Sequence, residues 1–545
     1  MSEESKPLNP AVEDVDSGSD VEDQTAETGA VASPTEGSAV PKKKKKKSKK
    51  KKISNLLKSD AQKTAEAFIG NMDDPSVTKE NSAQLLTKNN MSLDPALGQQ
   101  SLEQLLKQVK LQELLTGMAP GGKNKKDMAD YKFWKTQPVA PLGENVEQDG
   151  VIQEGNVSKI PKEPLPMHKE FEWVTMNLED PAELKELYEL LTANYVEDDD
   201  AMFRFDYSAS FLDWALKSPG WLKEWHVGVR VASSKKLVAF ISGIPLDLRV
   251  RDRVLKASEI NFLCVHKKLR SKRLAPILIK EITRRCNLEG VFQAIYTGGV
   301  VLPTPVSVCR YYHRSLNWPK LCDVGFSALP RGSTVARQVL KYKLPEKTKT
   351  KGLRPMTYAD VPRVGNLLRR FLSRFEMSQG FDDAEVAHWM LQNESIAKKD
   401  RVIWAYVVED GAGNITDFFS FYSLPSSIIG HPQHKVLNAA YLFYYATETA
   451  FLELPEHDLR PKLSARLNEL VNDALVLAKK LEFDVFNALS LADNAMFLDE
   501  QKFGAGDGYL NFYLFNYKAR PMTGGFLPNG QLDQAGRSSV GFVPL

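Results

Sequence analysis

The chain has 545 residues, 42% hydrophobic and 9% aromatic, with 72 Lys/Arg against 69 Asp/Glu and a formal net charge of +3. That is the composition of an ordinary globular protein long enough for more than one sizeable core. Its four cysteines, Cys264, Cys286, Cys309 and Cys322, lie 22, 23 and 13 residues apart. Such spacing excludes a dense disulfide scaffold and offers no close pair for a zinc or redox motif.

Residues 1–41 hold ten acidic side chains, one lysine and no aromatic, too little apolar surface to offset chain entropy. From Lys42 to Lys52, ten of eleven positions are lysine. Beyond these opposed blocks the remainder is nearly neutral, with 61 basic and 59 acidic residues. Residues 1–128 therefore read as a disordered tail, acidic and then poly-lysine, with one short amphipathic helix. Leu102, Leu105, Leu106, Val109 and Leu115 carry its three- and four-residue spacing, and Gly117, Gly121 and Gly122 stop it. The polar N-terminus shows no apolar signal-peptide core, and with so few cysteines a reduced, cytoplasmic protein is expected. Residues 291–309 form a nineteen-residue uncharged stretch near membrane-span length. Gln293, Thr297, Gly298, Pro303 and Pro305 within it predict strand, turn and loop instead.

Aromatic density rises at Tyr131, Phe133 and Trp134, where the folded body is expected to begin. Its length suits two domains of roughly 200 residues, assigned as an N-terminal half at 129–345 and a C-terminal half at 346–545. An internal repeat supports the division. Met176 and Asp180 precede a predicted helix carrying Leu184, Leu187, Leu190 and Leu191, and Met356 and Asp360 precede one carrying Val364, Leu367, Leu368 and Phe371. Asp180 with Pro181, and Asp360 with Pro362, are natural helix starts. Two apolar strands around a turn follow in each copy, then a helix feeding Val291-Phe292-Gln293-Ala294 or Val485-Phe486-Asn487-Ala488. The pattern is a duplicated α/β unit.

Residues 257–286 are the densest feature. A strand ends near Val265 and His266, a loop follows in which five of seven residues from Lys267 to Arg273 are Lys or Arg, and a helix begins with Leu274. Unpaired amides at a helix start, flanked by basic side chains, hold phosphates well. The glycines and Gly-Lys-Ser/Thr of a nucleotide P-loop are missing.

Three segments carry a resemblance. Glu259-Ile260-Asn261-Phe262-Leu263-Cys264-Val265-His266-Lys267 resembles the first signature of the glycylpeptide N-tetradecanoyltransferases, or N-myristoyltransferases. Residues 502–508, KFGAGDG, resemble the second, and YKFWKTQPV at 131–139 is similar to the family's acyl-CoA-binding stretch. A segment at 451–468 stands out as an insertion with no function assigned. The resemblance implies two tandem GNAT-like (acyl-CoA N-acyltransferase) domains related by pseudo-twofold duplication. It implies myristoyl-CoA as acyl donor, N-terminal glycine proteins as acceptors, and no metal.

The resemblance also implies residue roles. The donor site comprises Tyr131, Lys132, Phe133, Trp134, Phe262, Leu263, Cys264 and Val265, with Arg270, Ser271, Lys272, Arg273, Leu274 and Ala275 around the pyrophosphate. The backbone amides of Phe262 and Leu263 form the oxyanion hole, and the terminal carboxylate of Leu545 is the base. The apolar, proline-stiffened end GFVPL suits a buried terminus. Tyr195, Val196, Asp198, Asp200, Phe203, Phe205, Asn261, Thr297, Tyr311, His313, Ser426, Tyr441, Asn487, Gly506, Asp507 and Gly508 line the peptide groove. The aspartates favour basic peptides, and Gly504, Gly506 and Gly508 suggest a tight loop with close backbone approach. Cys264 and His266, two apart on a strand, form a rival nucleophile and base. The lysines from Lys42 to Lys52 would bind the ribosome or another polyanion in a salt-sensitive way. An adaptor working through that tail is the alternative to an enzyme. The chain is expected to be a monomer.

Overall fold

The computed structural model describes residues 131–196, 202–392, 396–397, 400–527 and 529–545. The predicted tail helix, the lysine block, Asp198 and Asp200 lie outside the described residues.

The first half runs β1 (Phe171–Thr175), α1 (Pro181–Asn194), β2 (Phe203–Phe205), α2 (Ala209–Leu216), β3 (His226–Val231), β4 (Leu237–Val250), β5 (Arg253–Val265), α3 (Leu274–Leu288), β6 (Gln293–Gly298) and β7 (Ser307–Ser315). The second repeats it as β8 (Leu353–Pro355), α4 (Val361–Leu372), β9 (Met377–Gly380), α5 (Asp383–Met390), β10 (Ile403–Glu409), β11 (Ile415–Ser423), β12 (Ser426–Ile428), β13 (Val436–Leu437), β14 (Ala439–Thr447), α6 (Glu456–Lys480), β15 (Val485–Leu489) and β16 (Gly504–Phe515).

One sheet carries the duplication in its strand order, β1-β3-β4-β5-β6-β16-β7-β15-β14-β11-β10-β8, with β9 added to β4. Read from either end, equivalent strands meet in the same sequence. The two central strands are exchanged. β16, from the second half, pairs with β6, and β7, from the first, pairs with β15. Neither half completes its sheet without the other. All neighbours are antiparallel except β5–β6 and β14–β15, each pair being bridged by its crossover helix, α3 or α6, as a parallel connection requires.

Local chemistry explains the helices. Asp180 accepts the Ala182 N–H and Pro181 fills the first turn of α1. Asp360 does not repeat this role, because its side chain makes no cap bond to α4. It accepts instead from Thr357, Arg354 and Arg363. α6 spans 25 residues against 15 for α3, and the surplus lies at its N-terminal end, within residues 451–468. That extension ties to the rest of the second half, since Arg460 donates to the carbonyls of Gln534 and Gly536 and Ser464 to that of Met496.

Residues 291–309 form β6, a turn and the start of β7, as their composition predicts. Among the described residues no helix is long and apolar enough to cross a membrane.

Candidate active site

β5 and β6 pair for only three residues, ending at Glu259 and Ile295, and then part. The split opens a cleft of about 1410 Å³, counted to its open mouth. Ile241 on β4, Ile260 on β5, Ile279 and Ile282 on α3, and Phe292 and Tyr296 at β6 make its walls apolar. Tyr131, Phe133 and Trp134 close one side. The Tyr131 hydroxyl donates to the Val301 carbonyl at 2.9 Å. Trp134 stacks on Tyr296 (5.6 Å between centroids), which stacks on Tyr513 (5.0 Å). Lys132 is exposed and off the wall.

Across β4, the register slips where the single residue Ile241 faces both Phe262 and Leu263. Phe262 adopts φ +55°, a left-handed conformation costing a non-glycine residue roughly 1–2 kcal/mol. This bulge inverts the alternation of β5. Ala257, Phe262 and Cys264 enter the large core, whereas Ile260, Leu263 and Val265 face the core beneath α3. Phe262 and Leu263 both line the cleft, which has no ladder partner for them on the β6 side. Burial, then the neighbouring Cys264, raise the phenol pKa of Tyr195, and a hydrogen bond from the Phe262 backbone opposes the rise.

Cys264 and Val265 are fully buried, and neither side chain reaches the cleft. His266 caps the next turn by accepting the Lys268 N–H at 3.2 Å. That geometry provides no nucleophile and base at the cleft.

The basic loop is wound tightly: Ser271 (φ +65°) and Arg273 (φ +60°) are both left-handed, and no side chain caps the start of α3. Left-handed steps turn successive amides toward one point, as in anion nests. Asn194 anchors the loop, its side chain accepting the Lys267 N–H at 3.0 Å and its carbonyl accepting from Arg270 at 2.7 Å. Ser271, Lys272 and Arg273 are exposed, while Leu274 and Ala275 are buried and Ala275 borders the cleft.

The expected groove residues gather at the junction of the halves. β2 pairs with β12, placing Phe205 opposite Ser426, and Phe205 meets Tyr441 edge to face at 6.4 Å. Tyr207, absent from the expected set, links Phe205 to Phe262 with centroids 5.8 and 5.3 Å away. Phe203 packs on Phe326, which packs on His313. On the exchanged strand β7, the His313 Nδ1 lies 2.7 Å from the Asn487 Oδ1. Burial lowers the His313 pKa, while Asn487 and Asp507 act the other way. Tyr311 and Val196 are buried nearby in the same core, and Asn261 and Thr297 line the cleft.

The glycine run opens strand β16, and residues 506–508 bulge out of its pairing with β7 opposite the single residue Tyr311. Gly506 makes a close approach: an added Cβ would collide with the His313 imidazole, whereas one at Gly504 would stand 3.9 Å from its nearest neighbour. Asp507 is exposed and Gly508 half-buried.

Residues 541–545 thread into the second half. The Gly541 N–H donates to Met377 at 2.7 Å and the Val543 N–H to the Tyr444 hydroxyl at 3.0 Å. Phe542 is fully buried and Leu545 packs partly buried on the large core. Glu259 on β5 is buried, and burial raises its carboxyl pKa to about 7. Glu259 is absent from the expected site residues; in the sequence it is one of three charges in its strand, with Arg253 and Lys256.

A long apolar cleft, a basic helix start at its side and strained amides on its wall define an acyl-CoA-dependent acyltransferase. The matches to known proteins agree. Residues 151–309 match the N-terminal domain of myristoyl-CoA:protein N-myristoyltransferase, and residues 323–543 its C-terminal domain. The glycylpeptide N-tetradecanoyltransferase of Emericella nidulans is 56% identical over 470 residues, covering 85% of this chain and 94% of its own. That of Schizosaccharomyces pombe is 49% identical over 465 residues, covering 84% and 98%. A crystal structure of Saccharomyces cerevisiae N-myristoyltransferase with bound myristoyl-CoA aligns with a TM-score of 0.75 at 50% identity, covering 76% of this chain and 99% of that one. The chain belongs to the N-myristoyltransferase family.

Proposed function

We propose that this protein transfers myristate from myristoyl-CoA to the α-amine of N-terminal glycines, by direct attack. Relatives of this identity carry that activity in their names, and the yeast structure holds the donor. The observation that carries the mechanism is a convergence. Asn261, Phe262, Leu263 and Thr297 border one cleft, and Leu545 packs on the core that Phe262 enters.

The acyl chain lies in the apolar cleft, where a dozen methylenes at about 0.8 kcal/mol each give roughly 10 kcal/mol of gross binding. The pyrophosphate sits on the loop from Arg270 to Arg273 and the start of α3. The glycine nitrogen attacks the thioester carbon, the C–N bond forms, the C–S bond breaks and CoA leaves as its thiol. As the carbonyl oxygen becomes anionic, the Phe262 and Leu263 amides donate to it, and the oxygen takes over the bond now held by the Tyr195 hydroxyl. The first proton of the glycine ammonium passes to the Leu545 carboxylate, and the second, released as the C–N bond forms, goes to the departing CoA sulfur. The groove from Phe203 and Phe205 through Ser426, Tyr441, Tyr311, His313, Asn487 and residues 506–508 holds the peptide. Asp198 and Asp200 draw basic residues toward it.

The lysines from Lys42 to Lys52 hold this cytoplasmic, monomeric enzyme near polyanions such as ribosomes, where new N-termini emerge. CoA release from myristoyl-CoA with a glycine-first peptide, and none with its alanine-first twin, is the expected result. No release with either peptide from folded protein would refute the reading.

A further inference from the structure

The stretch that joins the two halves carries an imbalance of charge that acyl transfer leaves unused. From Arg331 to Lys351, seven residues are Lys or Arg and one, Glu346, is acidic, in a body that is otherwise nearly neutral. All seven basic side chains are exposed. Among the described residues none of them pairs with a carboxylate, unlike Arg230, Arg354 or Arg466.

Within this stretch stands a seven-residue helix, Val335–Lys341, started by Thr334, whose side chain accepts the Arg337 N–H. Gln338 is its one buried side chain. Val335, Val339 and Leu340 are 40%, 44% and 72% exposed, beside the basic Arg337 and Lys341. The helix is fixed to the body at its end. There Tyr342 stacks on Trp318 with 5.3 Å between centroids, and its carbonyl accepts from Arg314 at 3.3 Å. Two more lysines flank it. Lys502 donates to the Lys341 carbonyl at 3.0 Å, and Lys479, with Glu482, borders the same hollow as Val339 and Tyr342.

Three aliphatic side chains left in water forgo the gain of burial, and the unpaired cations around them repel one another. A partner that relieves both has an apolar interior under an anionic surface. We propose that this helix and the lysines around it form a docking surface for an anionic lipid bilayer. Leu340, with Val335 and Val339, enters the boundary between headgroups and acyl chains, while Arg337, Lys341 and Lys343 stay among the phosphates. A nucleic acid fits less well, because it has no use for the aliphatic side chains. Tyr342, stacked on Trp318 with Arg314 and Lys341 over its ring, is not offered to a base either. A second copy of the chain would bring like charges together. The surface is independent of the acyl-transfer reading, so either can fail alone.

The test is amide hydrogen exchange of the full chain with phosphatidylcholine vesicles that contain phosphatidylserine, and with phosphatidylcholine alone. This readout is local, so it separates the helix from the basic segments at 42–52 and 267–273. Exchange across residues 335–343 is expected to slow severalfold with the anionic vesicles and to be unchanged with the neutral ones. The vesicle concentration that gives half of this protection is expected to rise about tenfold in Leu340→Ser, for one inserted aliphatic side chain lost. In Lys341→Ala with Lys343→Ala it should rise by roughly fivefold per lysine. Both variants should keep the wild-type melting temperature, since each alters exposed side chains. Unchanged exchange at 335–343, with or without vesicle binding elsewhere, would overturn the proposal. So would equal protection by single-stranded RNA that survives Leu340→Ser, the mark of a nucleic-acid surface. Protection that grows with protein concentration in the absence of vesicles would overturn it in favour of a second copy.

Discussion

The two halves of the molecule make the same bulge and use it differently. In the first, Ile241 faces Phe262 and Leu263; in the second, Ser420 on β11 faces Phe443 and Tyr444 on β14. The second bulge is filled from within. The Ser420 hydroxyl accepts the Tyr444 N–H at 3.1 Å and donates to the Tyr444 carbonyl at 2.8 Å. Ile241 has no hydroxyl to offer, and Phe262 is left-handed where no residue of the second bulge is. The first bulge lines the cleft with Phe262 and Leu263, and the second faces the core with Tyr444, whose own hydroxyl holds Val543. Under the proposed mechanism, one side chain opposite the bulge separates an oxyanion hole from a structural clamp. The helix starts diverge in the same way. α3 follows the basic loop with its left-handed residues, whereas α6 begins after Pro455 with Glu456 and Asp458 in its first turn, a poor place for an anion.

Exchanging the bulge residues is the sharpest way to break that comparison. Ile241→Ser brings the second half's solution into the first. Its hydroxyl is expected to engage the bulged amide and lower kcat by about 10²–10³, the usual cost of one oxyanion donor, measured on folded protein. The reciprocal Ser420→Ala is expected to cost about 1–3 kcal/mol of stability by denaturant titration, from an unsatisfied buried amide, with donor binding intact.

The helix-start aspartates give the next effect. Asp360 is fully buried beside Arg354, whose hydrogen bonds hold its carboxyl far below the usual range, whereas Asp180 is exposed. Asp360→Asn is expected to cost about 3 kcal/mol, the low end for a broken buried pair because Arg354 and Arg363 reach water. Asp180→Ala should cost about 1 kcal/mol. Because the folded-state pKa is depressed, the Asp360 contribution is complete above the unfolded value near 4 and is lost as pH falls below it. Wild-type stability should therefore drop more steeply than that of the Asn variant below about pH 4.

Gly506→Ala forces the His313 ring aside and is expected to raise the peptide KM about tenfold, at overpacking costs of 1–3 kcal/mol. Its effect on donor KM should be slight. The smallest change concerns the loop: Lys272→Ala with Arg273→Gly removes two exposed charges and one strained residue. Donor KM should rise by roughly severalfold, less so at high salt, where screening already weakens such contacts.

Much of this architecture was legible in the residues. The duplication showed in Met176/Asp180 and Met356/Asp360 because helix starts and apolar spacing are local properties. The basic loop before Leu274 showed for the same reason, and so did the apolar end of the chain. The misreading at Asp360 has a physical cause: Arg354, six residues upstream, outcompetes the helix amides for its carboxylate. The glycines at 504–508 suggest a loop and form a bulge within a strand, because nothing local announces that β7 lies beside them. Tyr207 passed unnoticed as one aromatic among many.

What the sequence determined by itself was the set of elements, their twofold repeat, the family and the chemistry each motif could support. All of these depend on spacing along the chain. What only the tertiary structure decided was pairing. The exchange of β7 and β16 brings His313 against Asn487 and Gly506, residues 174 and 193 positions away along the chain. The bulge at Phe262 exists only relative to Ile241. Register and burial belong to two strands at once, so neither strand's residues can specify them alone.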